Sequence, residues 1–206
     1  MDMQVKTQPL QARSRQTYEA ILASAAELLE EVGIERFSTN LVCARAQLTP
    51  PALYRYFPNK YALLKELALR LMEAQDKAVY EWINEGGLNT STQEDALRSN
   101  IAIQTRVNDI TRQQTGAVWI LRALRAVPAM RDVRLASRGA VAEQLFEALS
   151  RRYPKTAAVD LRCAVRLNLE LAAAVTEMVL EEPGSEPEKT VIEFSRMITA
   201  YYARFL

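Results

Sequence analysis

The sequence contains no histidine among its 206 residues, and this absence removes several common kinds of active site. Ser-His-Asp and Cys-His catalysis, histidine-containing zinc sites and Glu-x-x-His di-iron centres all need that residue. The six glycines are not arranged as a phosphate-binding loop. We therefore expect a protein that is not an enzyme, with no catalytic residues, no metal site and no cofactor.

Cysteine and long apolar runs are also scarce. Cys43 and Cys163 are far apart and fall inside predicted helices, which indicates small buried hydrophobic residues rather than a disulfide or a metal pair. No run approaches the roughly 18–20 apolar residues of a membrane span, and the first residues lack the apolar core of a signal peptide. The sequence therefore predicts a cytoplasmic protein without membrane contact.

Charge is nearly balanced over the whole chain but not along it. The net charge is +1 in total. Residues 1–65 carry eight basic and six acidic residues, a net of 8 − 6 = +2, and residues 66–206 carry 18 and 19, a net of −1. Between Arg36 and Lys65 there are five basic residues and no acidic one. A local basic surface of this kind favours contact with nucleic acid.

Apolar residues recur at helical spacing through most of the chain, and no alternating strand pattern of useful length appears. The pattern predicts an all-α protein of about nine helices. The predicted helices are 11–32, 39–46, 49–57, 59–85, 93–110, 113–126, one ending near 152, 156–181 and 187–205.

Residues 38–65 contain two short helices joined by a turn, which is the helix-turn-helix pattern. Ser38 or Thr39 is expected to cap the first helix, and Thr49 the second. The apolar set Leu41, Val42, Ala46, Leu48, Leu53 and Phe57 is expected to pack on the helix that precedes them. The second short helix would then be the recognition helix that enters the major groove.

A helical wheel separates two faces of the recognition helix. Leu53 and Phe57 define the buried face, while Pro51 and Arg55 point away from it. Arg55 either reads guanine or neutralises a phosphate.

Several neighbouring side chains are candidates for contacts to DNA, and some of them have a purely structural alternative. Thr49, Tyr54, Tyr56 and Lys60 are candidates for phosphate contacts, and Asn40 could reach the DNA backbone or a base. The Thr49 hydroxyl could serve only as a cap, and the two tyrosines could be half-buried aromatics. Pro50 and Pro51 fix the start of the helix or contact a thymine methyl group, but they have no N–H to donate to phosphate.

The last two predicted helices are apolar around more than one face. A helix of that kind must be covered on most sides. Either other helices of the same chain or a second copy of the protein would cover it, and we expect a homodimer.

The segment Thr39 to Leu64, with Leu-Tyr-Arg-Tyr-Phe-Pro-Asn-Lys at 53–60, resembles the tetracycline-repressor (TetR) family of bacterial transcriptional regulators. With Ile21–Leu29 and Gly33, the resemblance covers roughly residues 13–65. It implies a DNA-binding domain at 11–58, a ligand-binding and dimerisation domain at 59–206, and a dimer interface on the last two helices. The positions that match the family's DNA contacts are Asn40, Thr49, Pro50, Pro51, Ala52, Tyr54, Tyr56 and Lys60.

At two places this sequence differs from the usual sequence of the family, and these differences limit what the resemblance implies for this chain. Gln47 stands where the turn usually has glycine, and a left-handed Gln47 would be strained by about 1 kcal/mol. Pro51-Ala52 stands where Gly-Thr is frequent, so the operator sequence cannot be inferred from relatives.

We therefore expect a DNA-binding transcriptional regulator, specifically a ligand-responsive repressor that binds a palindromic operator as a homodimer. The alternative is a dimeric helical small-molecule-binding or scaffold protein without specific DNA binding. The candidate ligand contacts, each otherwise an ordinary core or surface residue, are Trp82, Gln104, Trp119, Arg122 and Asn168. A buried Arg122 would indicate an anionic ligand.

Overall fold

The computed structural model describes residues 5, 11–182, 184 and 186–205, and the described residues form helices with no strand among them. The helices are α1 (Ala12–Arg36), α2 (Thr39–Arg45), α3 (Pro50–Tyr54), α4 (Lys60–Asn84), α5 (Gln93–Gln113), α6 (Ala117–Ala126), α7 (Arg131–Arg152), α8 (Ala158–Glu181) and α9 (Pro187–Ala203). A 3₁₀ turn at Pro128–Met130 precedes α7. The predicted all-α fold of about nine helices is confirmed.

The chain forms two compact units. The first unit contains the chain up to Leu71 together with Gln114–Arg134, and the second contains Met72–Gln113 together with the chain from Leu135 onward. Two helices, α4 and α7, therefore contribute residues to both units. The boundary between a DNA-binding and a ligand-binding domain near residue 58 stays a prediction. In the structure, α6 packs in the same unit as the helix-turn-helix.

In the first unit, α1 is held to its neighbours by aromatic and charged contacts. Tyr18 is buried and stacks on Phe57 with the ring centroids 5.0 Å apart. On α4, Arg70 donates from two nitrogens to the Glu19 carboxylate of α1, at 2.6 and 2.8 Å, and to Glu66 at 3.2 Å. These contacts fix α1 against the residues that follow α3 and against the first half of α4.

Gly33 interrupts α1 without ending it. Its backbone has φ 70° and ψ 177°, a conformation essentially limited to glycine, and a further turn runs on to Arg36. A Cβ atom placed on Gly33 would lie 2.9 Å from the indole ring of Trp119 in α6. Glycine is therefore required here both by the backbone and by the close packing of α6.

The second unit has its own apolar core between α7, α8 and α9. The buried cluster consists of Val141, Leu145, Leu149, Tyr153, Leu161, Ala164, Val165, Leu169, Phe194, Ile198 and Tyr202. Among the described residues, no helix is long and apolar enough to cross a membrane.

Candidate nucleic-acid interface

The turn of the helix-turn-helix closes with a complete Schellman motif. The Leu48 N–H donates to the Cys43 carbonyl at 2.9 Å, and the Gln47 N–H donates to the Ala44 carbonyl at 3.3 Å. This motif needs a left-handed residue after the helix cap, and Gln47 has φ 54°. Gln47 therefore meets the condition under which strain is expected, and a residue with a side chain occupies a position that favours glycine.

Each short helix begins with a different kind of cap. At α2 the Ser38 hydroxyl accepts the Leu41 N–H at 3.4 Å, which decides between the two predicted caps. At α3 the predicted cap by the Thr49 side chain is wrong, because its hydroxyl makes no capping bond. The next-but-one residue is a proline without an N–H, and the Ala52 N–H already donates to the Thr49 carbonyl at 3.0 Å. The exposed Thr49 hydroxyl is therefore not used to cap α3.

The recognition helix is shorter than predicted, but its faces are as predicted. Regular helix ends at Tyr54, although the Phe57 N–H still donates to the Leu53 carbonyl at 3.0 Å. Leu53 and Phe57 are fully buried, and Pro51 and Arg55 are exposed. Pro50 and Asn40 are also exposed and Ala52 is half-buried, so these three candidates lie at or near the same surface.

One member of the predicted apolar set lies on the outside. Leu41 in α2 is 44% exposed rather than packed on α1. Its exposure places an apolar side chain next to Asn40 on the outer surface of α2.

Two tyrosines of the candidate set have hydroxyls bonded to other hydroxyls. Tyr54 lies at the surface, and its hydroxyl is 3.0 Å from the Thr39 hydroxyl. Tyr56 is only 4% exposed, and its hydroxyl is 3.1 Å from that of Ser14 at the start of α1. The ring of Tyr56 is thus a core group, which is the structural alternative considered for it. Sequence reasoning overlooked Ser14 and Thr39 as partners because their spacing from the tyrosines, 42 and 15 residues, carries no local signal.

Some of the basic side chains between Arg36 and Lys65 are already engaged in contacts within the protein, so their charges are only partly available to DNA. On α2, Arg45 makes a two-pronged ion pair with Glu31 of α1 and lies 4.0 Å from Glu27. The hydrogen bonds from Arg45 lower the pKa of the Glu31 carboxyl. Lys60 donates to the Phe37 carbonyl at 3.3 Å and lies over the Tyr61 ring, while Arg55 is exposed beside the Tyr56 ring. The basic surface is therefore weaker than the charge count of the sequence indicated.

The candidate ligand residues are divided between the two units. Trp119 and Arg122 belong to the first unit, where the exposed Arg122 lies 4.7 Å above the Trp119 ring. The condition for an anionic ligand, a buried Arg122, is thus not met. Trp82, Gln104 and Asn168 belong to the second unit. There Trp82 donates to Ser99 at 2.9 Å, and Gln104 is buried in a hydrogen-bond network.

The last two helices expose a series of large apolar side chains. On α8 these are Val159, Leu167, Leu171 and Met178, and on α9 they are Met197 and Tyr201. Cys163 of α8 is exposed as well, so the expectation that it is buried is wrong, whereas Cys43 is buried as expected. Leu167, Leu171 and Met178 are spaced by four and seven positions and therefore share one face of α8.

The fold and this interface define an all-helical protein with an N-terminal helix-turn-helix. The family model for bacterial regulatory proteins of the tetR family matches residues 21–67. The tetracycline repressor protein class C of Escherichia coli is 46% identical over 50 residues, 24% of this chain and 23% of that protein. The chain thus matches about a quarter of the length of this curated relative.

Two solved structures are similar over most of the chain. A TetR-family transcriptional regulator from Streptomyces coelicolor has a TM-score of 0.68 at 14% identity, covering 92% of this chain and 82% of that one. SmeT, the repressor of the Stenotrophomonas maltophilia multidrug efflux pump SmeDEF, has a TM-score of 0.63 at 18% identity, covering 91% of each chain. At these identities the likeness shows the fold.

The helix-turn-helix segment at residues 21–67 is therefore similar to the tetR family of bacterial regulatory proteins, and the chain as a whole shares the fold of these two solved structures. The family and the neighbouring structures are regulators rather than enzymes.

Proposed function

We propose that the protein is a cytoplasmic, ligand-responsive repressor that binds a palindromic operator as a homodimer. The observation that carries the proposal is the outer surface of α3, where Pro51 and Arg55 are exposed while Leu53 and Phe57 anchor the helix in the core. A recognition helix must combine these two properties to lie in the major groove.

Phosphate contacts would come from the hydroxyl and ammonium groups around α3. The Tyr54 and Thr39 hydroxyls share one hydrogen bond, in which either oxygen can be the donor. Because two hydroxyls carry two hydrogens, the pair keeps one O–H free to donate to a phosphate in either arrangement. Thr49 adds an exposed hydroxyl. Lys60 has three donors, of which the Phe37 carbonyl takes one.

The DNA proposal is tested by measuring affinity against salt for a genomic fragment enriched on the purified protein. Arg55→Ala should weaken binding and, if Arg55 contacts a phosphate, reduce the salt slope by about one. Tyr54→Phe leaves the Thr39 hydroxyl able to donate to a phosphate, so this single change should reduce DNA affinity little. The double variant Tyr54→Phe with Thr39→Val removes both hydroxyls and should reduce DNA affinity more. The control is Arg98→Ala, which changes an exposed arginine in the second unit. Binding that is weak, independent of salt and unaffected by these changes would instead favour a scaffold without specific DNA binding.

The homodimer would form through α8 and α9. Leu167 and Met197 are 51% and 61% exposed in the single chain, although both lie on helices that also supply the core of the second unit. Large apolar side chains exposed together on such helices mark an interaction surface. A two-fold axis there would give two recognition helices and a palindromic operator with half-sites about 34–36 Å apart.

Sedimentation of the purified chain tests the dimer. Leu167→Glu and Leu171→Glu should each give monomer and lose cooperative operator binding, because a buried charge without a partner opposes association. Leu135→Glu, at an exposed leucine on α7, is the matched control and should remain dimeric. Unchanged mass for the α8 variants would refute this interface.

Ligand response would use the helices that are continuous between the units. Residues of α4 and α7 belong to both units, so a displacement caused by a ligand in the second unit can reach the first along unbroken helix. A coupling free energy of about 1–3 kcal/mol would be typical. Release of a bound genomic fragment by a fraction of cell extract, measured with and without that fraction, tests this part of the proposal.

A further inference from the structure

The start of α1 carries two arginines that have no partner within the described part of the chain. Arg13 and Arg15 are both exposed. Neither side chain makes an ion pair or a hydrogen bond there, whereas Arg45 and Arg70 of the same unit are paired with carboxylates. The first turn of α1 contains no acidic residue. Two positive charges are therefore available at this end of the helix.

The acidic residues of α1 do not neutralise these arginines. Glu19, the nearest of them, accepts two hydrogen bonds from Arg70 of α4, at 2.6 and 2.8 Å. Glu27, the next one, follows Arg15 by 12 residues, which is about 18 Å along the helix axis at 1.5 Å per residue. Exposed charges that far apart are largely screened from each other, because the Debye length at physiological ionic strength is about 8 Å.

A contact with Tyr56 places this end of α1 beside the end of the recognition helix. Ser14, which lies between the two arginines in sequence, has its hydroxyl 3.1 Å from the hydroxyl of Tyr56. The residue before Tyr56 is Arg55, which is exposed on the surface proposed to face DNA. Because successive residues of a helix are about 100° apart, Arg13 and Arg15 extend to either side of Ser14.

We propose that Arg13 and Arg15 bind phosphates of the DNA backbone next to the bases read by α3, and so form a contact site outside the helix-turn-helix. The inference rests on the DNA-binding regulator proposed above. Phosphate rather than a base edge is the target, because α1 lies beside the helix that enters the groove. A guanidinium group is always charged and can bind a phosphate through two parallel hydrogen bonds. Such contacts position the protein on the duplex without reading its sequence.

The experiment measures the affinity of the full-length protein for an enriched genomic fragment and for an unrelated duplex over a range of salt concentrations. One phosphate contact contributes about −0.9 to the slope of log K against log salt concentration, or about eightfold in affinity at 0.1 M relative to 1 M salt. Arg13→Gln and Arg15→Gln should each flatten the slope by about 0.9 for every chain bound, and the double variant by about twice as much. Both duplexes should lose affinity by the same factor, because every sequence has phosphates.

Two further variants separate the loss of charge from other effects. The double variant Arg13→Lys with Arg15→Lys keeps both charges and should keep most of the salt slope. Arg98→Gln removes an exposed arginine of the second unit and should leave the slope unchanged. Thermal unfolding of each variant monitors the fold, and Tm should hardly change because the substituted side chains are exposed.

An unchanged salt slope in the double glutamine variant, or an equal loss in the double lysine variant, would overturn the inference. A loss confined to the enriched fragment would also overturn it, since that result indicates contact with bases. Failure of this inference is distinguishable from failure of the proposed function. Salt-dependent DNA binding that is the same in the wild type and the double glutamine variant refutes the α1 contacts alone, whereas weak, salt-independent binding by the wild type refutes the DNA-binding regulator itself.

Discussion

Replacing Gln47 with glycine should stabilise the protein, although glycine substitutions usually do the opposite. Gln47 has φ 54° and completes the Schellman motif at the end of α2. A residue with a Cβ is destabilised there by about 1–2 kcal/mol, because Cβ approaches the following carbonyl oxygen. Glycine removes this strain but costs about 0.5–1 kcal/mol in the conformational entropy of the unfolded chain.

The net expectation for Gln47→Gly is a gain of about 0–1.5 kcal/mol in the free energy of unfolding, with a midpoint of about 0.75 kcal/mol. For a chain of this size, 1 kcal/mol corresponds to roughly 2–4 °C in Tm. Because the chain has two compact units, urea unfolding should be followed together with hydrogen exchange of the Leu48 amide, which donates across the motif to Cys43. Protection of that amide should rise with the global stability of its unit.

Two control variants separate the backbone effect from loss of the side chain. Gln47→Ala keeps a Cβ in the same conformation and should give no gain. Gln47→Asn should lie between the two, since asparagine tolerates the left-handed region better than most residues. If Gln47→Ala stabilises as much as Gln47→Gly, or if glycine lowers the stability, strain at this position is not the source of the effect.

Two further predictions concern the first and second units separately. Gly33→Ala should destabilise the protein by about 1–3 kcal/mol in urea unfolding, because the backbone conformation excludes a Cβ and the Trp119 ring lies 2.9 Å from its position. Gly139→Ala, where a Cβ would meet nothing within 4 Å, should be neutral or stabilising, and equal effects at both sites would contradict this reasoning. Burial raises the pKa of Asp76 despite its hydrogen bond from Ser137, so the folded state disfavours the ionised carboxyl. The contribution of Asp76 to the free energy of unfolding is therefore most favourable below the pKa of the unfolded state and is lost as the pH rises through the pKa of the folded state. Asp76→Asn should consequently become more stable relative to the wild type as the pH is raised from acid to neutral, measured by urea unfolding. A stability difference between the two proteins that does not vary with pH would contradict this.

Local patterns predicted the parts of the fold that depend on neighbours in sequence. The four-residue spacing of Leu53 and Phe57 identified the buried face of α3, since a helix repeats every 3.6 residues. The resemblance, in which the turn usually has glycine at position 47, singled out Gln47 as a residue that would be strained if left-handed, and its φ is 54°. In each case the physical cause lies within a few residues of the position.

The features that sequence reasoning missed depend on contacts between distant segments or on competition for one donor. The charge count places Arg45 in a basic surface, but the packing of α2 on α1 brings Glu31 to it. The sequence offers Trp119 as a ligand contact, whereas the close approach permitted by Gly33 sets it against α1. The sequence predicts a cap on α3 from Thr49, but capping needs a free N–H, and the prolines that favour the start of the helix also lack that donor. One short segment can thus favour two local features that exclude each other, here prolines at the start of a helix and a side-chain cap that needs a backbone N–H. Composition alone does not decide which of the two forms.

The double proline also constrains how the proposed operator would be read. Helix N-termini usually bind phosphate through free backbone N–H groups, and Pro50 and Pro51 remove two of these from α3. The Ala52 N–H is occupied by the Thr49 carbonyl, so the leading end of α3 presents apolar rings rather than donors. Side-chain hydroxyls, above all those of Tyr54 and Thr39, would then contact the phosphates. Arg55 and apolar contacts with thymine methyl groups would recognise the bases. Since few direct hydrogen bonds to bases remain, the shape and deformability of the DNA would have to supply much of the sequence preference.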